Sequence, residues 1–285
     1  MPLDLLALLL LAALFHASWN LLTKQSNDKD AFIWLTYAAA AVLFSPSLLI
    51  YGFDLSARAW LILLGSAAGE VAYCLALARA YSRFDYSLVY PIARGSAPPL
   101  IALWSALFLG DSPTLGAGAG VLLVVVGIVA MGRTTSGSTV SGRPGSRTGA
   151  VISALAVGLC ISTYTTLDKA AMALVAPPPY LSLVLGATAV LLLPWHWRRL
   201  DVAAAEWRSN WRRVLAVACL LVCGYSLVLF ALQQIQVAYV GAVREVSVVF
   251  AALLGWLLLR EPFGLKRTAA ATLIFAGIAA VARFG

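Results

Sequence analysis

The chain has 285 residues, of which 62% are hydrophobic and only 11% charged, and its formal net charge is +8. A water-soluble domain carries about 25% charged residues, so this composition excludes a soluble globule. The basic residues lie mostly in short segments between apolar runs, as the positive-inside rule describes for membrane proteins. Because no basic segment is interleaved with aromatic residues on a soluble face, we do not expect a nucleic-acid partner.

Ten apolar runs approach the length of about 20 residues that an α-helix needs to cross a bilayer. The first of them lacks the basic start of a secretory signal peptide, so we expect it to be a membrane helix. The runs predict an all-α polytopic membrane protein with ten transmembrane helices, at residues 3–22, 31–51, 59–79, 86–109, 114–132, 150–169, 180–197, 213–234, 236–259 and 266–283.

One segment, "GRTTSGSTVSGRPGSRTG" at residues 132–149, differs in composition from the rest of the chain. Its Gly, Ser, Thr and Arg content is typical of a flexible linker. It separates five predicted helices in residues 1–131 from five in residues 150–285. We therefore predict two five-helix repeats joined by a linker.

The two halves resemble each other. With an offset of 150 positions, "LVYPIARG" aligns with "AYVGAVRE" without a gap, so Arg94 matches Arg244 and Asp111 matches Glu261. A unit with an odd number of helices, followed directly by its copy, enters the membrane in the opposite orientation. The pattern thus predicts an inverted repeat, as in many secondary transporters, with a substrate site near the membrane midplane.

The loops after the odd-numbered helices hold most of the Lys and Arg residues. The positive-inside rule places those loops in the cytoplasm and both termini on the outside.

A few ionisable residues lie well inside the apolar runs, and such residues indicate function because charges in a membrane are costly. They are His16, Glu70, Arg94, Arg244 and Glu245. Two arginines at equivalent repeat positions can grip a carboxylate or phosphate in a shared cavity. The alternative is structural pairing, of Arg94 with Glu70 and of Arg244 with Glu245 or a carbonyl group. Glu70, Glu245 and His16 are candidates for proton coupling or charge balance.

Pro98 and Pro99 follow Arg94 in the fourth apolar run. A proline cannot donate to the carbonyl four residues earlier, so these two leave the carbonyls of Arg94 and Gly95 without that bond. Such carbonyls are tolerated in a membrane where they line a cavity or are buried in protein. We therefore expect a hinge at Pro98 and Pro99, with a plain packing kink as the alternative.

Several aromatic and polar side chains are candidates for lining the substrate site. They are Trp19, Asn20, Tyr73, Tyr90 and Tyr164. With only two histidines, and with the cysteines in apolar runs, no metal site is expected. No cofactor is expected either, and no phosphate-binding G-x-x-x-x-G-K-[ST] motif occurs in the sequence.

Ten helices in two inverted groups of five, with "LGDSPT" and "LREPFG" each opening the last helix of its half, resemble the drug/metabolite transporter superfamily. Within it, "HASWNLLTK" and "DYSLVYPIARG" are similar to the EamA-type permeases. The resemblance implies a permease of the inner membrane, with His16, Glu70, Arg94, Tyr164 and Arg244 on helices that surround a central cavity. It also implies cytoplasmic termini, opposite to the charge distribution.

Together these patterns predict a secondary active transporter of a small polar metabolite, anionic or zwitterionic, such as an amino acid or an organic or phosphorylated acid. The transporter would work by alternating access, as a monomer or homodimer in the lipid bilayer. The alternatives are efflux of drugs or lipophilic cations and, with little support, an intramembrane enzyme.

Overall fold

The structure, a computed structural model, describes residues 1–24, 26–84, 86–110, 113–134, 147–250, 253–254 and 265–284. Helices dominate these residues, and no strand occurs among them. The helices are α1 (Leu3–Lys24), α2 (Lys29–Phe44), α3 (Pro46–Tyr51), α4 (Ala57–Arg83), α5 (Tyr86–Trp104), α6 (Leu115–Thr134), α7 (Arg147–Ala171), α8 (Pro177–His196), α9 (Leu200–Gln234), α10 (Val237–Arg244) and α11 (Leu265–Phe284).

Six segments of the described chain are long and apolar enough to cross a membrane: Leu3–Thr23, Lys29–Tyr51, Ala57–Leu77, Ile92–Leu109, Thr148–Ala171 and Pro177–Gln234. The last of these takes in both α8 and α9, and shorter apolar stretches lie in α6 and α11. Large apolar side chains such as Leu61, Leu122, Ile152 and Val190 are exposed on the outside of the bundle. An apolar outer surface of this kind suits contact with lipid rather than water.

Both ends of the predicted linker segment, residues 132–149, are helical. Helix α6 continues to Thr134 and α7 already begins at Arg147, and residues 135–146 lie outside the described residues. Asp111, Glu261 and part of the predicted ninth helix also lie outside them.

Helix α9 begins at Leu200, whereas the sequence predicted a start at residue 213. The backbone leaves helical geometry at Asn210 (φ −129°, ψ 15°), which separates an amphipathic first part from the apolar remainder. The buried Glu206 carboxylate in this first part accepts hydrogen bonds from the backbone N–H groups of Asn27 (3.4 Å) and Asp28 (3.0 Å). These contacts fix an arginine-rich segment that hydropathy alone indicated as a loop.

Asp28 caps α2 in the same loop, where its Oδ1 accepts a hydrogen bond from the Ala31 N–H at 3.0 Å. Its Oδ2 accepts a second bond from Arg199 Nη2 at 2.5 Å. Burial by itself raises the pKa of Asp28, but the Ala31 bond and the Arg199 charge together hold that pKa below its ordinary value. The ionised carboxylate therefore stabilises the start of α2.

Small residues let three helix pairs approach closely. An added Cβ on Gly277 of α11 would lie 2.6 Å from the Gly120 carbonyl oxygen of α6, and one on Gly69 of α4 would lie 3.1 Å from the Tyr164 Cβ of α7. Similarly, α9 meets α1 where Gly224 faces Phe15. The glycine-rich stretches "GAGAG" of α6 and "GSAAG" of α4 thus supply close helix contacts at Gly120 and Gly69.

Helices α5 and α10 each carry an arginine of the predicted site. Helix α5 runs through Pro98 and Pro99 as one helix and ends in a π-helical turn at Ser105–Leu109. The interruption lies instead in the second half, where α10 ends at Arg244 and helical backbone resumes at residues 247–250. Successive backbone hydrogen bonds there run from an N–H group to the carbonyl oxygen three residues earlier, as from Val248 to Glu245 at 3.0 Å. Such bonds make a tighter turn than those of an α-helix. The broken backbone is thus found beside Arg244 and not at the prolines.

Candidate functional site

A cavity lies between α1, α2, α4, α5, α7, α9 and α10, inside the bundle. Part of its lining is apolar, with Ala12, Ala13, Leu221 and Val228. The polar and aromatic side chains of the lining are His16, Trp19, Tyr37, Glu70, Tyr73, Arg94, Tyr164, Tyr225 and Arg244.

Arg94 of α5 is buried and forms an ion pair with Glu245, the residue that follows α10. Arg94 Nη1 donates to Glu245 Oε1 at 3.4 Å, and both side chains are nearly inaccessible to solvent. The second carboxylate oxygen, Oε2, is buried without a hydrogen-bond partner among the described residues. The pair joins the two predicted repeats and balances the charge of one arginine.

His16 of α1 lies between Arg94 and Trp19. Its Nε2 contacts Arg94 Nη2, and its Nδ1 faces Trp19 Nε1 at 3.1 Å. Both neighbours are N–H donors, and a neutral imidazole has a single nitrogen that can accept. His16 therefore accepts from one donor at a time and is neutral in this arrangement.

Arg244 of α10 is half-buried on the cavity wall. Within the described ranges, its guanidinium has neither an ion-pair partner nor a hydrogen bond. The carboxyl groups near enough to feel its positive charge are Glu70, Asp168 and Glu245. The two arginines are thus unequal, because Arg94 is paired with a carboxylate and Arg244 presents its charge to the cavity.

Two buried carboxyl groups share the hydroxyl of Tyr225, which lines the same cavity. Tyr225 Oη lies 3.1 Å from Glu70 Oε1 and also contacts Asp168 Oδ2. Asp168 Oδ1 additionally accepts from Ser66 Oγ and Tyr180 Oη, each at 2.6 Å. The other Glu70 oxygen accepts from Thr188 Oγ1 at 3.1 Å.

Comparison with known proteins assigns the chain to a family. The model of the EamA-like transporter family matches residues 5–133 and 148–283. The chain belongs to the EamA-like transporter family. It is thereby a multi-pass membrane protein of a transporter family within the drug/metabolite transporter superfamily, as the sequence motifs indicated.

A solved structure described as "Crystal structure of protein" has the same fold as this EamA-like chain, with a TM-score of 0.81 at 17% sequence identity. The match covers 98% of this chain and 96% of that chain. The search for curated relatives by sequence found no match.

Most of the side chains predicted for the site lie on this one cavity, and their roles there stay predictions. They are His16, Trp19, Glu70, Tyr73, Arg94, Tyr164 and Arg244. Asn20 is exposed, and its Nδ2 donates to the His16 carbonyl of its own helix at 2.7 Å. The Tyr90 side chain lies outside the described residues. The structural pairing considered for the arginines differs from the observed one, since Arg94 pairs with Glu245 and not with Glu70.

The sequence analysis did not predict the carboxyl pair, because Asp168 lies next to the end of the predicted helix at residues 150–169. In the structure Asp168 is 1% exposed on α7. A signal exists in the sequence: Tyr225 follows Gly224 just as Glu70 follows Gly69, and both glycines lie at close helix contacts. Aligning those two glycines would have brought Tyr225 to the position equivalent to Glu70.

Proposed function

We propose that this EamA-like protein is a secondary active transporter of a small anionic or zwitterionic metabolite. It would work by alternating access, with two inverted five-helix repeats, residues 1–131 and 150–285, moving around the cavity. Residues 132–149 would be the linker. The wide distribution of such repeats among transporters makes this the expected mechanism for a central cavity between two halves.

The contacts between α6 and α11 support the inverted repeat. Gly277 faces the carbonyl oxygen of Gly120 and two atoms of Val124, while Gly127 faces the carbonyl oxygen of Ala270 and two atoms of Ile274. Adding the sequence offset of 150 to Gly120, Val124 and Gly127 gives 270, 274 and 277, so each contact set is the exchanged copy of the other. A two-fold relation between the halves produces such an exchange.

The helix pairs support the same relation more broadly. Helix α4 packs on α7 as α9 packs on α1, and α4 packs on α8 as α9 packs on α2. The counterparts in the two halves are α1 and α7, α2 and α8, and α4 and α9. Exchanging each helix for its counterpart turns the α4 pairs into the α9 pairs. The family model likewise matches one stretch in each half of the chain.

The observation that carries the substrate class is Arg244 on the cavity wall. Its guanidinium has no carboxylate partner among the described residues, whereas Arg94 is balanced by Glu245. A buried guanidinium is suited to a planar bidentate contact with a carboxylate or phosphate group. We infer that Arg244 receives the negative group of the substrate and that Arg94 contributes when its pair with Glu245 opens.

The aromatic side chains that line the cavity offer a contact surface for the rest of the substrate. Tyr73 and Tyr164 meet edge to face with ring centroids 6.0 Å apart, and Trp19 lies on the same cavity. Such faces can contact an ammonium group through cation–π attraction. An amino acid or another small organic acid, including a phosphorylated one, fits this arrangement.

A second candidate function is efflux of lipophilic cations. The same aromatic faces together with the buried Glu70 carboxyl favour it. This candidate requires that the carboxyl groups, and not Arg244, provide the principal contact with the transported molecule.

We place the protein in the cell's inner membrane as a monomer or homodimer, and we take the basic loops to be cytoplasmic. A proton gradient or solute exchange would drive transport. No role for a cofactor or for catalysis enters this proposal.

A ligand screen tests the substrate class. The purified protein is heated with amino acids, carboxylates, organophosphates or lipophilic cations, beside the R94A, R244A and R212A variants. Arg212 is an exposed arginine stacked over Trp211 and serves as the matched control. A ligand that binds the folded state raises its melting temperature. We expect an anionic or zwitterionic solute to stabilise the parent and R212A but not R244A.

A different pattern of stabilisation in this screen would contradict the proposed substrate class. If lipophilic cations stabilise all four proteins and anionic solutes stabilise none, Arg244 has a structural role and the cation-efflux function replaces the one proposed.

A further inference from the structure

We propose that Glu70, Tyr225 and Asp168 form a proton relay, in which Glu70 holds one proton at neutral pH and exchanges it with Asp168 through the tyrosine hydroxyl. The relay deepens the proposed transport function, on which it rests for its biological role, because it makes the proton the coupling ion. Neither Tyr225 nor Asp168 was among the residues predicted for proton coupling, which were Glu70, Glu245 and His16.

The Tyr225 hydroxyl has fewer hydrogen atoms to donate than it has carboxyl neighbours. Its hydroxyl oxygen contacts Glu70 Oε1 and Asp168 Oδ2, but a hydroxyl has only one hydrogen to donate. If both carboxyls were ionised, one carboxylate oxygen would face a lone pair of the tyrosine oxygen. That repulsion disappears when one carboxyl carries a proton and donates it to the hydroxyl. The three groups therefore need one extra proton.

The remaining donors decide which carboxyl carries it. Asp168 already accepts from Ser66 and Tyr180 at 2.6 Å each, and donors of that kind favour the ionised form. Glu70 has one further donor, Thr188 at 3.1 Å. The structure assigns the chain Glu70 O–H to Tyr225 Oη, and Tyr225 O–H to Asp168 carboxylate.

Burial and like charge act in the same direction. Glu70 is 2% and Asp168 1% exposed, so two negative charges sharing one hydroxyl would have little water to screen them. The groups that face the pair from neighbouring elements are Tyr37 of α2, Cys74 of α4, Tyr164 of α7, Tyr180 of α8 and Arg244 of α10. Among these, Arg244 supplies positive charge, and one cation balances one carboxylate.

The transfer conserves atoms and charge. The Glu70 proton passes to Tyr225 Oη while the tyrosine hydrogen passes to Asp168 Oδ2. The products are a Glu70 carboxylate, a neutral tyrosine and a protonated Asp168. Glu70 and Tyr225 line the cavity, so the proton enters and leaves there, whereas Asp168 lies behind them.

The cavity position gives the relay a connection to the substrate. A negative group bound at Arg244 cancels the positive charge that favours the ionised carboxyls, so protonation of the pair becomes easier when the substrate is bound. Linkage then requires that protonation also favours substrate binding. Proton and substrate would occupy the cavity together.

Infrared difference spectroscopy of the purified full chain tests the protonation without any substrate. Spectra are recorded between acidic and alkaline pH for the parent protein and for the E70Q, Y225F and E206Q variants. Glu206 is the matched control, because it is buried but its carboxyl accepts from backbone and amide N–H groups in another part of the molecule. We expect a protonated-carboxyl C=O band at pH 7 that is lost in E70Q, shifted in Y225F and unchanged in E206Q.

The relay is overturned if the parent has no such band at pH 7, or if the band persists unaltered in E70Q. A second measurement addresses coupling. Liposomes that hold the protein and a trapped pH indicator receive a mixture of L-amino acids or of sugar phosphates. Internal pH should change with the parent and not with E70Q. Solute uptake without a pH change contradicts proton coupling, whereas absence of uptake with the infrared band intact contradicts the transport function alone.

Discussion

Replacing Gly277 by alanine should separate α11 from α6. An ideal Cβ at this position lies 2.6 Å from the Gly120 carbonyl oxygen, and 2.8 Å from both the amide nitrogen and one methyl carbon of Val124. Two of these atoms belong to the backbone of α6, so a change of rotamer cannot remove the overlap. The two helices must move apart along the contact that holds the last helix of each predicted repeat together.

The size of the effect follows from two opposing terms. Overpacking of a close contact costs about 1–3 kcal/mol, and the backbone contact places this case at the upper end of that range. Alanine gains at most about 1 kcal/mol over glycine in a helix. We therefore expect G277A to lower the free energy of unfolding by about 2 kcal/mol. Reversible unfolding in mixed detergent micelles measures the difference.

Gly118, in the same small-residue stretch of α6 as Gly120, provides the matched control. An added Cβ there has nothing within 4 Å, so G118A should be neutral or stabilising by up to about 1 kcal/mol. Equal destabilisation by G118A and G277A would refute the assignment of the contact. So would a G277A protein as stable as the parent.

Three further predictions concern charged groups. R94Q leaves Glu245 buried without its partner and should cost about 3–5 kcal/mol in unfolding free energy, and R94Q/E245Q should recover part of that loss; no recovery would contradict the pair. K169M removes a charged donor from two carbonyls at the end of α9, at 2.6 and 3.0 Å, and should cost about 1.5–3 kcal/mol in the same assay; an unchanged value would contradict it. D28A should cost about 1 kcal/mol above the unfolded-state pKa of about 3.9, and its difference from the parent should shrink as pH falls through the lowered folded-state pKa of Asp28. A difference that grows with acid would reverse the assigned sign.

The sequence predicted the helical class and most helix positions because apolar runs of bilayer length leave few alternatives. The start of α9 was missed because its first turns carry arginines and tryptophans, and their helical structure depends on Glu206 contacts with a distant loop. Local rules predict an interrupted backbone at Pro98 and Pro99, but α5 runs through both prolines as one helix, and a hinge there stays a prediction. Tertiary packing decides such cases, and a linear sequence does not display it.

The candidate site was predictable only in part, because the sequence displays charged residues but not the packing that pairs them. Charges inside apolar runs identified Glu70, Arg94 and Arg244, which line one cavity. The pairing of Arg94 with Glu245 was not predictable, since it joins residues 151 positions apart and depends on how α5 faces α10. The sequence alone does not show that the Tyr225 hydroxyl contacts two carboxyl groups, because that contact depends on how the helices pack.

The most direct test of the central claim measures uptake into liposomes of whichever anionic or zwitterionic solute stabilises the protein in the ligand screen. The parent, R244Q and the surface control R212Q are compared at equal amounts of inserted protein. The proposed role of Arg244 predicts uptake by the parent and R212Q, and loss of saturable uptake in R244Q. Undiminished uptake by R244Q would contradict the claim that this arginine receives the negative group of the substrate.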